Sequence, residues 1–125
     1  MVAAERADLV LSFAKVLYVN GQATEETMGA AGRLAQALEL RSTIVPFWAE
    51  LQLIADDGGA RIVEDAATPA GVEMARVASA MRAIDDVAAG RLTPTAAKET
   101  VAAIFRLPPA PTWLFALAAA SWLWR

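Results

Sequence analysis

The carboxylates and hydroxyls offer the first chemistry to weigh. Glu50 follows Phe47-Trp48-Ala49, and a carboxylate desolvated by a large aromatic can serve as a general acid or base. The alternation Glu50-Leu51-Gln52-Leu53 instead reads as a strand with Glu50 on its solvent side. Asp56-Asp57 could begin a metal site, yet it runs directly into Gly58-Gly59, a solvated turn. Asp85-Asp86 reads as an exposed, ion-paired helix face. Ser12, Ser42, Ser79 and Ser121 have no Gly-x-Ser-x-Gly context, and the chain has no histidine to activate them and no cysteine. Thiolate nucleophiles, disulfides, Cys/His zinc sites and Ser-His-Asp triads are therefore excluded. No catalytic, cofactor or metal site is expected, and the reading is not that of an enzyme. A small hydrolase built on Glu50 or a paired aspartate is the weakest alternative.

Composition narrows the classes further. The chain has 125 residues, 57% of them hydrophobic, with net charge −3 and mean hydropathy +0.39. Much of that excess is alanine, and another share lies in the last dozen residues. Lys and Arg are scattered singly, without the basic patch that a nucleic-acid partner requires. Residues Met1 to Asp8 carry Glu5, Arg6 and Asp8 and lack the basic and apolar regions of a signal peptide. A cytoplasmic start is expected.

The elements that would position these residues follow from periodicity. Leu9, Phe13 and Leu17, flanked by Val10 and Ala14, predict one helix from about Ala4 to Val19, with Asp8, Ser12 and Lys15 on its polar side. Asn20-Gly21 stops it. Thr24 is the expected N-cap of a second helix, with Glu25 and Glu26 in its first turn and Met28, Ala31, Ala35 and Leu38 facing inward. Gly29 and Gly32 in that helix suggest the close approach of another backbone. Thr43 to Val45 and Glu50 to Leu53 favour strands, and Pro46 between them marks an edge or a bend. The turn at Asp56 to Gly59 predicts a hairpin returning along Ala60 to Glu64. After the loop Thr68 to Gly71, Met74, Val77, Ala78, Met81, Ile84 and Ala88 form the stripe of a third helix. Glu73/Arg76 and Arg82/Asp86 would pair outside it, and Gly90 ends it. Thr93-Pro94 opens a fourth helix whose Ala97, Val101, Ile104 and Phe105 face inward. Met28, Met74 and Met81 are expected core residues.

Pro108-Pro109-Ala110-Pro111 ends the fourth helix. The 13 residues Thr112 to Trp124 that follow have no polar face, and they hold three of the chain's four tryptophans. Such a segment must be buried in protein or lipid, and tryptophan favours the membrane–water interface. Thirteen residues rise only ~20 Å as a helix, short of the ~20 residues a bilayer core requires. The expected organisation is a soluble domain over 1–107, a Pro-rich hinge over 108–111 and an incomplete transmembrane segment over 112–125. The expected fold is α+β, with four amphipathic helices packed on a small antiparallel hairpin-based sheet, plus a short C-terminal apolar helix.

Several stretches carry a resemblance to one family. Tyr18 to Glu25, with Asn20, Gly21 and Thr24 at a helix break, is similar to the first motif of the N-terminal domain of the threonine/serine exporter family. Pro46 to Leu51, with Trp48 and Glu50, resembles a second. Pro69 to Ala78, with Gly71 and Arg76, resembles a third, and it leads to Asp86 and Gly90-Arg91-Leu92. A Pro-rich hinge entering an Ala-rich apolar segment is also how that family passes into its membrane domain. The resemblance covers roughly Leu9 to Ser121. Glu26 stands where relatives often have a basic residue, and Ser121 where they often have glycine. The resemblance implies the cytoplasmic domain of a bacterial inner-membrane transporter that exports threonine, serine or similar amino acids, coupled to an ion gradient. Its implied partners are the membrane and the transporter's membrane domain, and Gly29, Gly32 and the tryptophans leave room for a homo-oligomer. As it stands, the chain is expected to be a truncated form that cannot transport by itself. The alternative is a free-standing, membrane-associated interaction module.

Overall fold

A computed structural model describes residues 1–47, 50–56, 60–66 and 71–106. The expected hinge at 108–111, the apolar segment 112–125, Trp48 and most of the Asp56 to Gly59 turn lie outside the described residues. Four helices and a three-stranded antiparallel sheet give the expected α+β fold, in the order α1 (Ala3–Val19), α2 (Thr24–Ala37), β1 (Ser42–Phe47), β2 (Glu50–Asp56), β3 (Ala60–Ala66), α3 (Met74–Ala88) and α4 (Pro94–Arg106).

α1 is the axis of the molecule. It buries Ala7, Leu9, Val10, Leu11, Phe13, Ala14, Val16 and Leu17, which cover most of its circumference rather than the single stripe expected. The reason is its position: α1 touches α2, α3, α4, β2 and β3. A helix surrounded by other elements must be apolar nearly all round.

The strands form a meander, β1-β2-β3, with Ile44 opposite Leu53 and Leu53 opposite Val63. α1 and α2 cover one sheet face, where Ile44, Leu51 and Leu53 are buried, while Glu50 and Ile54 on the other side are exposed. Pro46 does not interrupt β1. It pairs with Leu51 inside the strand, and β1 lies at the sheet edge, where a proline's missing N–H can face away from the ladder.

Three helical faces differ from their expected positions. α2 buries Thr27, Ala30, Ala31, Leu34 and Ala35, leaving Met28 half-buried. A Cβ added at Gly29 or Gly32 would meet nothing within 4 Å, so no described backbone approaches those glycines. α3 buries Val77, Ala80, Ala83, Ile84 and Val87, whereas Met74, Ala78 and Ala88 are exposed. Its buried face is broad because it packs on α1, α2 and α4, and the small Ala80 and Ala83 suit close packing. In α4, Ile104 is buried and Phe105, about 100° further round the helix, is 41% exposed. The Lys15 ammonium lies 5.9 Å from the Phe105 ring centroid. Asp86 pairs with Arg91 at 2.9 Å rather than with Arg82, and Asp85 pairs with Arg33 at 3.7 Å. Thr93 does cap α4, its Oγ1 accepting the Ala96 N–H at 3.2 Å.

α1, α2 and α3 end alike. In each, the residue after the C-cap adopts a left-handed backbone: Gly21 (φ 97°), Glu39 (φ 56°) and Gly90 (φ 76°). The paired backbone bonds of a Schellman motif close each end: Gln22 N–H to Leu17, Leu40 N–H to Ala35 and Arg91 N–H to Asp86, with the companion bonds from Gly21, Glu39 and Gly90. Short connections make α1/α2 and α3/α4 antiparallel hairpins. The bundle therefore has two ends. One, the Asn20 end, gathers the close of α1, the start of α2, the start of α3 and the close of α4. The other, the Glu39 end, gathers the opposite termini.

Candidate functional site

Four of the seven residues singled out by sequence come together at the Asn20 end. Asn20 is only 5% exposed and takes part in three bonds besides its own N–H. Its Nδ2 donates to the Val16 carbonyl at 2.8 Å. Its Oδ1 accepts from an Arg76 Nη at 3.3 Å across 56 residues of sequence. Its backbone carbonyl accepts the Glu73 N–H at 2.9 Å. A buried amide of this kind must satisfy its polar atoms inside the protein, and here doing so ties the end of α1 to the start of α3. The bond to the Arg76 guanidinium involves a charged donor, the stronger class of hydrogen bond.

Gly21 and Gly71 make that junction possible. A Cβ on Gly21 would lie 3.1 Å from the Val72 side chain and 3.2 Å from the Gly71 carbonyl oxygen. Its φ of 97° is also a backbone that residues with a Cβ rarely adopt. Gly71 has φ 132° and turns the chain so that Glu73 reaches Asn20. The Asn20-Gly21 pair therefore does more than stop a helix: it docks one helical hairpin on the next.

The remaining three residues do not join this group. Thr24 is not the N-cap of α2; it is the first helical residue, exposed, behind Ala23, and no side chain caps the helix. The bonds that close the end of α1 run through Gln22, and the Gln22 Oε1 accepts the Ala23 N–H at 3.1 Å, so the helix begins one residue sooner than a Thr24 cap would allow. Glu50 begins β2, exposed and opposite Phe47 and Ala66, on the sheet rather than at the helix junction. Trp48 is outside the described residues.

Periodicity gave no sign of Thr27. It is 1% exposed, and its Oγ1 has no hydrogen-bond partner among the described residues. Glu39 was equally hidden, since a left-handed glutamate where the other two motifs have glycine leaves no pattern. It borders an open groove of about 650 Å³ between α2 and the sheet edge, with Gly32, Gln36, Arg41, Thr43 and Ile54. A second groove, about 350 Å³, lies between α3 and α4. Among the described residues no group of three or more carboxylates is placed to hold a metal ion.

No known family, curated protein or solved structure matches this chain. Among the described residues, no helix is long and apolar enough to cross a membrane. The chemistry of the Asn20 junction is that of a clasp: an amide, a guanidinium and backbone groups hold each other. What it accomplishes is mechanical, fixing the close of α1 against the start of α3.

Proposed function

We propose that this chain is the soluble, cytoplasmic domain of a bacterial inner-membrane transporter of the threonine/serine exporter type, which moves threonine, serine or similar small amino acids out of the cell. One observation supports the reading above the rest. The first and third motifs that carry the resemblance are separated by about fifty residues of sequence, yet Asn20 and Gly21 of one meet Gly71 and Arg76 of the other in a single clasp. Residues that one architecture requires are expected to meet in space. The apolar stretch Thr112 to Trp124 is the second support, since a segment without a polar face requires protein or lipid around it. On this reading the domain does no chemistry; it presents a rigid helical platform beside the membrane-embedded pathway.

Efflux measures this directly. Bacterial cells carrying the intact locus are loaded with radiolabelled threonine and compared with cells in which a stop codon replaces Leu9. The proposal expects slower threonine or serine loss from the disrupted strain, abolished in both strains by an uncoupler. Equal efflux of both amino acids in the two strains rules the proposal out.

A further inference from the structure

We propose that the Asn20 end of the bundle is a membrane-contacting surface, on which Val72, Met74 and Phe105 enter the lipid interface. Three large hydrophobic side chains are open at the Asn20 end, with Val72 71%, Met74 53% and Phe105 41% exposed, while Val2 (61%) and Met1 (44%) are open at the other end. What decides between the two ends is where the chain leaves α4. Val72 and Met74 flank the start of α3, which the Asn20–Glu73 bond fixes beside the close of α1. Phe105 is in the last turn of α4, and Lys15 of α1 lies over its ring.

Chain length supplies the occupant. The inference rests on the membrane reading above, in which the apolar run from Thr112 enters lipid. Only five residues, Leu107 to Pro111, separate that run from Arg106, the last residue of α4. Five residues span at most ~17 Å even when fully extended. The polar headgroup layer on each side of a bilayer is itself roughly 5–8 Å deep. So short a tether holds the Asn20 end, rather than the Glu39 end, within reach of the membrane, where its open apolar side chains can enter the interface. Charge does not oppose this. Lys15, Arg76 and Arg106 are matched at that end by Glu25, Glu26 and Glu73, so the contact is driven by apolar insertion rather than by anionic lipid, and it needs no negatively charged headgroup.

The absence of cysteine makes the test clean. Single variants of the full chain, Val72→Cys, Met74→Cys and Phe105→Cys, are labelled with an environment-sensitive fluorophore. They are reconstituted with phosphatidylcholine vesicles containing a nitroxide-labelled lipid. Val2→Cys and Thr95→Cys report the opposite end, and Ala118→Cys reports the apolar segment. Because interfacial apolar faces sit ~5–10 Å into the headgroup–acyl boundary, labels at 72, 74 and 105 should be quenched at least about twofold more than those at 2 and 95. Quenching at 118 with none at 72, 74 and 105 overturns this inference and leaves the membrane reading standing. No quenching at 118 sinks both. Equal quenching at both ends of the bundle also overturns it, because the bundle would then lie on the lipid without a preferred face.

Discussion

The two ends of the bundle are built from the same backbone device and differ in what surrounds it. At the Asn20 end, the Schellman motif of α1 carries the glycine it favours, and its neighbouring residues are bonded across to α3. At the Glu39 end, the same motif on α2 is closed by a glutamate held at φ 56°, beside an open groove. One end is over-determined: a Cβ on Gly21 would crowd Val72 and the Gly71 carbonyl at 3.1–3.2 Å, Asn20 is buried, and α1 and α3 are bonded across it. The other tolerates a side chain in a backbone conformation that disfavours it, because nothing is packed against it tightly enough to object. The same local motif therefore carries tertiary structure in one place and merely ends a helix in the other.

Substitutions can break that contrast. The largest effect is expected for Gly21→Ala, where a left-handed residue gains a Cβ 3.1–3.2 Å from Val72 and the Gly71 carbonyl. The conformational cost alone is ~1–2 kcal/mol; with the crowding, urea denaturation should show a loss of about 2–3 kcal/mol. Asn20→Ala should follow, at about 1–2 kcal/mol, because it removes two side-chain hydrogen bonds and strips the Arg76 guanidinium of a buried partner. The smallest effect has the opposite sign. Glu39→Gly should stabilise the domain by roughly 1 kcal/mol, since glycine adopts the left-handed backbone without a Cβ penalty. A Glu39→Gly variant that loses stability would mean that the glutamate side chain holds something at the groove and that the two ends are more alike than described.

Much of the architecture was legible in the sequence, and the failures have a common cause. Helix breaks at Asn20-Gly21 and Gly90, the Thr93 cap and the antiparallel strands all rest on local chemistry, which a linear reading captures. The misplaced faces do not. Val77 and Ile104 face inward as expected, but Met74 and Phe105, expected beside them, are exposed, because the neighbours of α3 and α4 decide how wide a stripe is buried. Asp8, Ser12 and Lys15 line up and predict a one-sided α1, but its burial comes from five neighbouring elements that no local window contains. The clasp was half visible. Asn20, Gly21, Gly71 and Arg76 were singled out by resemblance, but that they touch is a property of the fold. Thr24 failed as a cap by one residue, a shift set by the turn that precedes it.

The central claim is that the Asn20 junction locks the start of α3 to the end of α1, and the Glu73 amide tests it most directly. That N–H precedes α3, where an amide would ordinarily exchange with solvent quickly; here it donates to the Asn20 carbonyl at 2.9 Å. Native-state hydrogen exchange should give it a free energy of opening within about 1 kcal/mol of the Phe13 amide in the core of α1, the mark of a bond broken only by global unfolding. Opening several kcal/mol below that of Phe13 would mean that α3 detaches from α1 while the rest stays folded, and the clasp would not be the joint described here.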